Sequence, residues 1–180
     1  MKNKSTNDEI NKKLRNSRIM SKIGVMIMNI FIFICFFYIF FYEQVLKVIP
    51  RLNIVPLSDI LQIIGFLLII GGNITLFLAY RELGENWAYP LDGGTIKRNL
   101  ITTGIYSQVR HPIYLSFNIF SIGFILLLLD WILLILYIIG AIGLYSQAID
   151  EERILLDYFG INYKNYMEKT GRFFVKVKKE

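Results

Sequence analysis

The sequence has few of the residues that build disulfide frameworks and metal sites. Its 180 residues include one cysteine and one histidine. Cys35 lies within an apolar run, so neither a disulfide framework nor a cysteine metal cluster can form, and we interpret Cys35 as a packing residue. Low-complexity linkers and internal repeats are also lacking. The largest segments outside the apolar runs have roughly 30 residues, which is too few to bury an independent core.

The chain also lacks the pattern of a nucleotide-binding loop of the Rossmann type. Asp92-Gly93-Gly94 contains two adjacent glycines, but no strand pattern precedes it and there is no room for a βαβ unit. We interpret this tripeptide as a turn. A cofactor site must therefore be assembled from the segment 81–112, the C-terminal segment and the ends of helices.

Hydrophobic residues, in contrast, are abundant. They make up 54% of the chain, and the mean hydropathy is +0.47, too high for a soluble domain of this size. The composition therefore predicts an integral membrane protein. Four apolar runs occur, at residues 23–42, 60–80, 113–129 and 132–149. The first two have the roughly 20 residues that a helix needs to cross the hydrocarbon core.

The last two apolar runs are separated only by Asp130 and Trp131. A single helix over residues 113–149 would be about 55 Å long, far longer than the bilayer is thick. We therefore predict a tight helical hairpin, with Asp130 in the turn at the far membrane surface and Trp131 in the interfacial aromatic belt. The predicted fold class is an all-α integral membrane protein of about four transmembrane helices with a C-terminal hairpin.

The basic residues predict the orientation of these helices. Of the 20 Lys and Arg residues, seven precede the first run, none lies in the hairpin turn, and seven follow Asp150. The positive-inside rule then places both termini in the cytoplasm, and in a prokaryote the membrane would be the plasma membrane. We attribute the net charge of +6 to topology and contact with anionic membrane lipids, so it gives no argument for nucleic acid. The first run is interpreted as a retained anchor.

Charged residues at both ends of the hairpin indicate a functional site. Arg110 and His111 stand directly before the third run, where ionisable groups are costly without a partner. Asp150, Glu151 and Glu152 follow the fourth run. A hairpin brings the acidic cluster and the cations to the same side of the membrane.

Four segments carry a resemblance to a known family: GIYSQVRHPIY at 104–114, the pair Glu151-Glu152, FGINYKNY at 159–166 and LGENW at 83–87, which together span nearly half the chain. They resemble the isoprenylcysteine carboxyl methyltransferase family and its phospholipid methyltransferase relatives. The resemblance implies transfer of a methyl group from S-adenosyl-L-methionine to a lipophilic acceptor, most readily the carboxylate of an isoprenylcysteine-like substrate. It also implies that the cofactor binds at cytoplasmic segments.

The charge pattern and the apolar runs, together with the resemblance, predict a three-part organisation of the chain. Residues 1–22 would be a basic cytoplasmic segment, and residues 23–80 would form two transmembrane helices. Residues 81–180 would form the methyltransferase core, which includes the cofactor loop, the hairpin and the C-terminal cytoplasmic segment.

The resemblance also assigns roles to individual residues. Arg110 and Glu152 are the predicted catalytic residues, and Arg110 offers a planar fork for a carboxylate. Glu151 is expected at the ammonium or ribose of the cofactor, while His111 and Tyr114 border a helix N-terminus that attracts anions. The complete predicted cofactor set is Leu100, Ile101, Tyr106, His111, Pro112, Ile113, Tyr114 and Glu151.

Structural alternatives exist for each of these groups. Arg110 is also consistent with a snorkelling boundary arginine, and the paired glutamates with a solvated extension of the helix. Three tyrosines have two interpretations, stacking or cation–π contact with the cofactor, or anchoring at the membrane interface. They are Tyr106, Tyr163 and Tyr166.

Two departures from the family pattern leave the acceptor open. Arg98-Asn99 stands before Leu100, where the family usually has a histidine, and Gln147 stands where the family has a substrate-contacting arginine. A carboxylate acceptor would lose its counter-ion at Gln147, the predicted substrate-binding residue. An amine acceptor must lose a proton, for which Glu152 or His111 is a candidate base. The alternatives are a phospholipid or small amine or thiol methyltransferase and, from another class, a catalytically inert membrane adaptor.

Overall fold

A computed structural model describes residues 22–24, 26–38, 40–41, 43–44, 47, 58–84 and 99–176. This part of the chain is mostly helical and contains no strand; Val109 and Gly171 form an isolated parallel bridge. The helices are α1 (Lys22–Tyr38), α2 (Ser58–Leu83), α3 (Pro112–Leu128), α4 (Trp131–Phe159) and α5 (Ile161–Lys169), with a 3₁₀ turn at Gly104–Ser107. The predicted all-α class is confirmed for these residues.

The boundaries of α3 follow from local sequence chemistry. Proline is well suited to the first helical position, and Pro112 occupies it, preceded by His111 at φ −125°. The helix ends at Leu128, and Leu129 adopts the left-handed conformation with φ 51°. Because α4 begins two residues later at Trp131, the predicted break between the last two apolar runs is present.

The position of Asp130 differs from the prediction. It lies in the connection between α3 and α4 as expected, but it is buried and only 3% exposed, whereas Trp131 is exposed. A connection of two residues is too short to project away from the helix ends. Asp130 therefore lies inside the protein and not at an accessible surface.

Helix α4 is longer than the apolar run that predicted it. The run ends at Ile149, but the helix continues through the acidic cluster to Phe159. Residues 150–159 contain neither proline nor glycine and include several good helix formers, so nothing interrupts the helix before Gly160. Gly160 has φ 55°, the left-handed conformation that commonly ends a helix. Because α4 continues to Phe159, Glu151 and Glu152 lie on a regular helix.

Small residues permit a close approach of α2 and α3. Gly65, Gly72 and Ala79 are buried at intervals of seven residues along α2. A Cβ atom at Gly65 would lie 2.6 Å from the carbonyl oxygen of Gly123 on α3. Backbone contact of this kind requires glycine, as in many membrane helix pairs.

The chain divides into two compact units. The first contains α1 and residues Trp131–Asp150 of α4, with Gly24 and Gly143 in backbone contact and Cys35 buried as the packing interpretation predicts. The second contains α2, the 3₁₀ turn, α3, the remainder of α4 and α5. All of the ionic contacts described below lie within this second unit.

Two helices, α2 and α4, are long and apolar enough to cross a membrane, judged by length and composition. Helices α1 and α3 are also apolar but shorter. Only 11% of the most apolar window of α2 is buried inside the protein. A soluble protein buries the apolar face of its helices, so this exposure is typical of a helix in contact with lipid.

Candidate active site

The site begins at the 3₁₀ turn that leads into α3. Gly104 opens this turn with φ 52°, and Thr103 donates its hydroxyl hydrogen to the carboxylate of Glu82 at the end of α2. A Cβ atom at Gly104 would lie 2.6 Å from that carboxylate. Glycine therefore lets Glu82 approach the turn, and this contact joins α2 to the segment that carries Arg110 and His111.

A second segment pairs with the residues that precede α3. The backbone N–H of Arg110 donates to the carbonyl of Gly171 at 2.9 Å, and that of His111 donates to the carbonyl of Arg172 at 3.1 Å. These two bonds extend the bridge between Val109 and Gly171. Consequently the side chains of residues 172 and 173 are placed beside the Arg110-His111 pair.

Glu152 is the centre of an ionic cluster. The residue is only 3% exposed, and its carboxylate accepts a hydrogen bond from Arg110 Nε at 2.9 Å. Arg172 donates to both carboxylate oxygens, from Nε at 3.0 Å and from Nη2 at 2.6 Å. His111 Nε2 lies 3.4 Å from Glu152 Oε1. The acidic pair and the cations thus meet as the hairpin predicted.

Arg110 also holds the end of α5. Its Nη1 atom donates to the carbonyl oxygen of Met167 at 3.2 Å and to that of Thr170. The last carbonyls of a helix lack partners within the helix and carry partial negative charge, so a buried cation stabilises them. The Arg110 side chain is 8% exposed, and these contacts direct its fork toward the protein itself.

Glu151 lies on the other edge of the imidazole of His111. It accepts a hydrogen bond from the hydroxyl of Tyr114, and its Oε2 atom is 3.6 Å from His111 Nδ1. The side chain of Glu151 is 24% exposed. The His111 ring stacks on Tyr114 with centroids 5.4 Å apart and meets Phe173 edge-on at 6.1 Å. Carboxylate and aromatic surface therefore adjoin each other here.

The three tyrosines predicted either to contact the cofactor or to anchor the protein at the membrane interface pack together in the interior. Tyr106, Tyr163 and Tyr166 are all buried, and the Tyr166 hydroxyl donates to the carbonyl of Tyr106 at 2.6 Å. Burial raises the pKa of Tyr166 to about 12 and raises the pKa values of Tyr106 and Tyr163 further, so all three phenols remain neutral. Their burial does not fit a role as anchors at the membrane interface, and a cofactor contact by Tyr106 stays a prediction.

The other predicted residues lie around this cluster. Leu100 and Ile101 are half-buried in the irregular segment before the 3₁₀ turn, and their apolar side chains take no part in its ionic contacts. Pro112 and Ile113 form the first turn of α3, with Pro112 buried. Gln147 is half-buried on α4, one helical turn before Glu151.

Several predictions fall on residues outside the described part of the chain. They concern the basic N-terminal segment, the turn at Asp92-Gly93-Gly94, Trp87 of the LGENW motif and the departure at Arg98. These interpretations stay predictions.

The sequence reasoning missed Arg172, Phe173 and Glu82. The charge pattern attributes Arg172, one of the seven basic residues that follow Asp150, only to topology and lipid contact. A signal was present, because Arg172 is followed directly by Phe173 and two further apolar residues. A cation in an apolar stretch outside a membrane run is a reason to expect a specific partner.

A protein-family model matches the part of the chain that contains most of this site. The model of the isoprenylcysteine carboxyl methyltransferase family matches residues 63–157, more than half of the chain. The chain belongs to this family. The matched segment includes the Arg110-His111 pair, the α3–α4 connection and both glutamates of the cluster.

Curated relatives that are named for the activity of this family align with the chain over about half of their own length. The chain is 33% identical over 120 residues to the protein-S-isoprenylcysteine O-methyltransferase of Xenopus laevis, covering 64% of the chain and 42% of the relative. It is 34% identical over 118 residues to that of Saccharomyces cerevisiae, covering 63% and 48%. The chain therefore spans somewhat less than half the length of these curated relatives.

A solved structure has the same fold. It is described as the eukaryotic intramembrane Ras methyltransferase ICMT, and it aligns with 91% of this chain and 52% of its own at a TM-score of 0.52 and 24% identity. At that identity the likeness supports the fold. The membership in the family and the intramembrane fold together agree with the apolar helices.

Proposed function

We propose that this protein is a membrane methyltransferase that uses S-adenosyl-L-methionine to O-methylate the carboxylate of an isoprenylcysteine-like acceptor. The observation that carries the proposal is the meeting of Glu151 and Glu152 with Arg110 and His111, which stand at opposite ends of the α3–α4 hairpin within the region matched by the family model. The names of the relatives support the acceptor class. An inert adaptor has no need of a buried charge cluster that is costly to assemble.

The residues present fit this cofactor. S-adenosylmethionine has a carboxylate, an ammonium group and an adenine ring, and it supplies a methyl group activated by a positively charged sulfur. Glu151 offers a partly exposed carboxylate for the ammonium group or the ribose. The guanidinium groups of Arg110 and Arg172 lie near the opposite edge of the His111 ring, where both contact Glu152. Tyr114 and Phe173 add aromatic surface. The site thus has both signs of charge and π faces, which the cofactor requires.

The arrangement suggests that Glu152 positions other groups and is not a base. Both of its oxygens accept hydrogen bonds from guanidinium groups. A prenylcysteine carboxylate is already ionised at neutral pH, so its methylation needs orientation and charge pairing more than proton removal. The carboxylate oxygen forms the new bond to the methyl carbon as the bond from that carbon to sulfur breaks. The protein contributes by holding the two at near-attack distance.

The membrane arrangement is part of the same proposal. Residues 23–80 form two membrane helices and residues 81–180 the methyltransferase core, with about four spans, and both termini, including the basic segment 1–22, face the cytoplasm. The cluster then lies on the cytoplasmic side, where a nucleotide-derived cofactor is available. A lipophilic acceptor partitions into the surrounding lipids and enters the site laterally between helices.

A labelling experiment tests this function. The purified protein is incubated with methyl-labelled S-adenosylmethionine and a prenylcysteine analogue, and the product is treated with alkali, which releases labelled methanol from a methyl ester only. We expect labelled methanol from the wild type, a loss of at least tenfold in Glu151→Gln, and no change in Asp157→Asn, an exposed carboxylate on the same helix. Absence of alkali-labile label with the wild type would refute carboxyl methylation.

One observation favours a second candidate, methylation of an amine such as that of phosphatidylethanolamine. Gln147 replaces the arginine that would pair with an acceptor carboxylate. Gln147→Arg should raise kcat/KM for a prenylcysteine analogue, because it adds a charge-assisted contact. If the acceptor is an amine, the same change should lower turnover, because a nearby cation repels the protonated acceptor. Assays of both variants with the two acceptors separate these cases.

A further inference from the structure

Two large apolar side chains lie exposed in the segment that follows α5. Phe174 is 80% exposed and its neighbour Val175 is 61% exposed. In water such side chains lose the favourable free energy that burial of their apolar surface would give. Single exposed apolar residues are nevertheless common on proteins, so the position of this pair in the molecule must decide what it means.

The backbone around the pair is held on both sides. The carbonyl of Gly171 accepts a hydrogen bond from the segment that precedes α3, and a Cβ atom at Gly171 would overlap the carbonyl oxygen of Phe174. The chain therefore turns tightly at this glycine. Beyond the pair, Lys176 Nζ donates to the carbonyl of Glu168 on α5 at 2.7 Å. The exposed pair thus belongs to a fixed loop, which we call the 171–176 loop.

This loop lies at the level where α3 begins. The backbone N–H of His111 donates to the carbonyl of Arg172 at 3.1 Å, and α3 starts at the next residue, Pro112. Phe174 follows Arg172 by two residues, so at most about 7 Å of chain separates it from this bond. Helix α3 is apolar and has 17 residues, fewer than the roughly 20 that the hydrocarbon core requires. Its first residue therefore lies at the hydrocarbon boundary when α3 crosses the membrane, and the exposed pair lies beside that boundary.

The charges that accompany the pair match a lipid surface. Lys176 is exposed, and the sequence continues with Lys178 and Lys179, while Glu180 is the one acidic residue in 173–180. Segments that combine large apolar and basic residues bind the interface of a bilayer that contains anionic lipids. The apolar side chains enter below the headgroups, and the cations remain among the phosphates.

We propose that the 171–176 loop docks on the membrane interface, with Phe174 and Val175 inserted among the lipids and the lysines near the phosphates. This inference rests on the membrane arrangement in the proposed function. The other side of the loop faces the ionic cluster, because Phe173 meets the ring of His111 edge-on. Docking of the loop then holds the cluster at the depth where an acceptor with its prenyl chain in the lipid presents its carboxylate.

Quenching of tryptophan fluorescence by lipid tests the insertion in the full chain. The protein has two tryptophans, so Phe174→Trp is made in a background that carries Trp87→Phe and Trp131→Phe. It is placed in nanodiscs of phosphatidylcholine and phosphatidylglycerol whose acyl chains are either unmodified or brominated near the headgroup. Bromine quenches tryptophan only at close range. The matched control is Asn165→Trp, at an exposed polar position of α5.

Brominated lipid should lower the emission of Phe174→Trp at least twofold more than that of Asn165→Trp. Iodide dissolved in the water should have the opposite order of effect, because the inserted ring is shielded from it. Val175→Trp should behave as Phe174→Trp does, and it gives a decision if the latter does not fold. Phe77→Trp, at an exposed apolar position of α2, is the positive control for quenching by lipid.

The outcomes separate this inference from the function on which it rests. Stronger quenching by lipid at either loop position than at Asn165→Trp supports the inference. Loop positions that iodide quenches as strongly as the control, or that neither quencher reaches because protein covers them, overturn it. In that case quenching of Phe77→Trp by lipid and methyl transfer by the wild type still support the proposed function. If lipid does not quench Phe77→Trp either, the membrane arrangement and the inference both fail.

Discussion

The contact between α2 and α3 gives a prediction whose size follows from the structure. In Gly65→Ala the new Cβ atom would lie 2.6 Å from the carbonyl oxygen of Gly123, and ordinary contact begins near 3.4 Å. The two helices must therefore separate locally by about 0.8 Å, the difference between these distances. Overpacking of this kind costs about 1–3 kcal/mol. It also disturbs α2 itself, whose Glu82 contacts Thr103 beside the 3₁₀ turn.

The same helix offers a matched control. Among the residues that the structure describes, Gly71 has nothing within 4 Å of the position of a Cβ atom. Both alanine substitutions gain about 0.5–1 kcal/mol from helix propensity. The difference in unfolding free energy between the two variants is therefore the overpacking term alone, about 1–3 kcal/mol.

Thermal unfolding in detergent, followed by circular dichroism, measures this difference. A chain of this size shifts its midpoint by about 2–4 °C per kcal/mol, so Gly65→Ala should unfold about 6 °C below Gly71→Ala at the middle of these ranges. Equal midpoints for the two variants would show that α2 and α3 do not approach as closely as described.

Three further predictions concern the cluster, the buried phenols and the topology. Arg110→Ala should lower the unfolding free energy by about 3 kcal/mol in the same assay, because a buried ion pair and two hydrogen bonds at a helix end are lost; an unchanged midpoint would contradict this. Because burial raises the pKa of Tyr166, the folded state keeps this proton between pH 10.0 and about 12 while the unfolded state loses it. The unfolding free energy should therefore fall with rising pH across that window, and less steeply in Tyr166→Phe. In a Cys35→Ala background, a cysteine at Lys178 should react with an impermeant thiol reagent only from the cytoplasm and one at Trp131 only from outside; the reverse would overturn the orientation.

The helices and the hairpin could be predicted from the sequence because each rests on a local property. A run of apolar side chains with a length near the membrane thickness indicates a helix, and two polar residues between such runs indicate a turn. The meeting of Glu152 with Arg110 followed from the same argument, because a hairpin returns the chain to the side on which it began. These predictions needed only the order of apolar and charged residues.

What was missed depends on contacts between residues far apart in the sequence. Arg172 joins the cluster only because its segment pairs with the backbone of residues 110 and 111, and no periodicity indicates an isolated bridge. The buried Asp130 follows Leu129, whose left-handed conformation is uncommon for a residue other than glycine and is not indicated by the sequence. The role of Gly65 is apparent only when α3 lies against it.

The contacts of Arg110 set an order for the assembly of the protein. This arginine bonds to residues 42, 57 and 60 positions away along the chain, so it reaches these partners only after α3 and α4 have folded and returned the chain. Closing such long loops carries an entropic cost that the earlier helices must first offset. We therefore expect the ionic cluster around Glu152 to form after α3 and α4. Substitutions that slow the folding of α3 and α4 should then deplete the proposed methyl transfer in cells even when no residue of the cluster has changed.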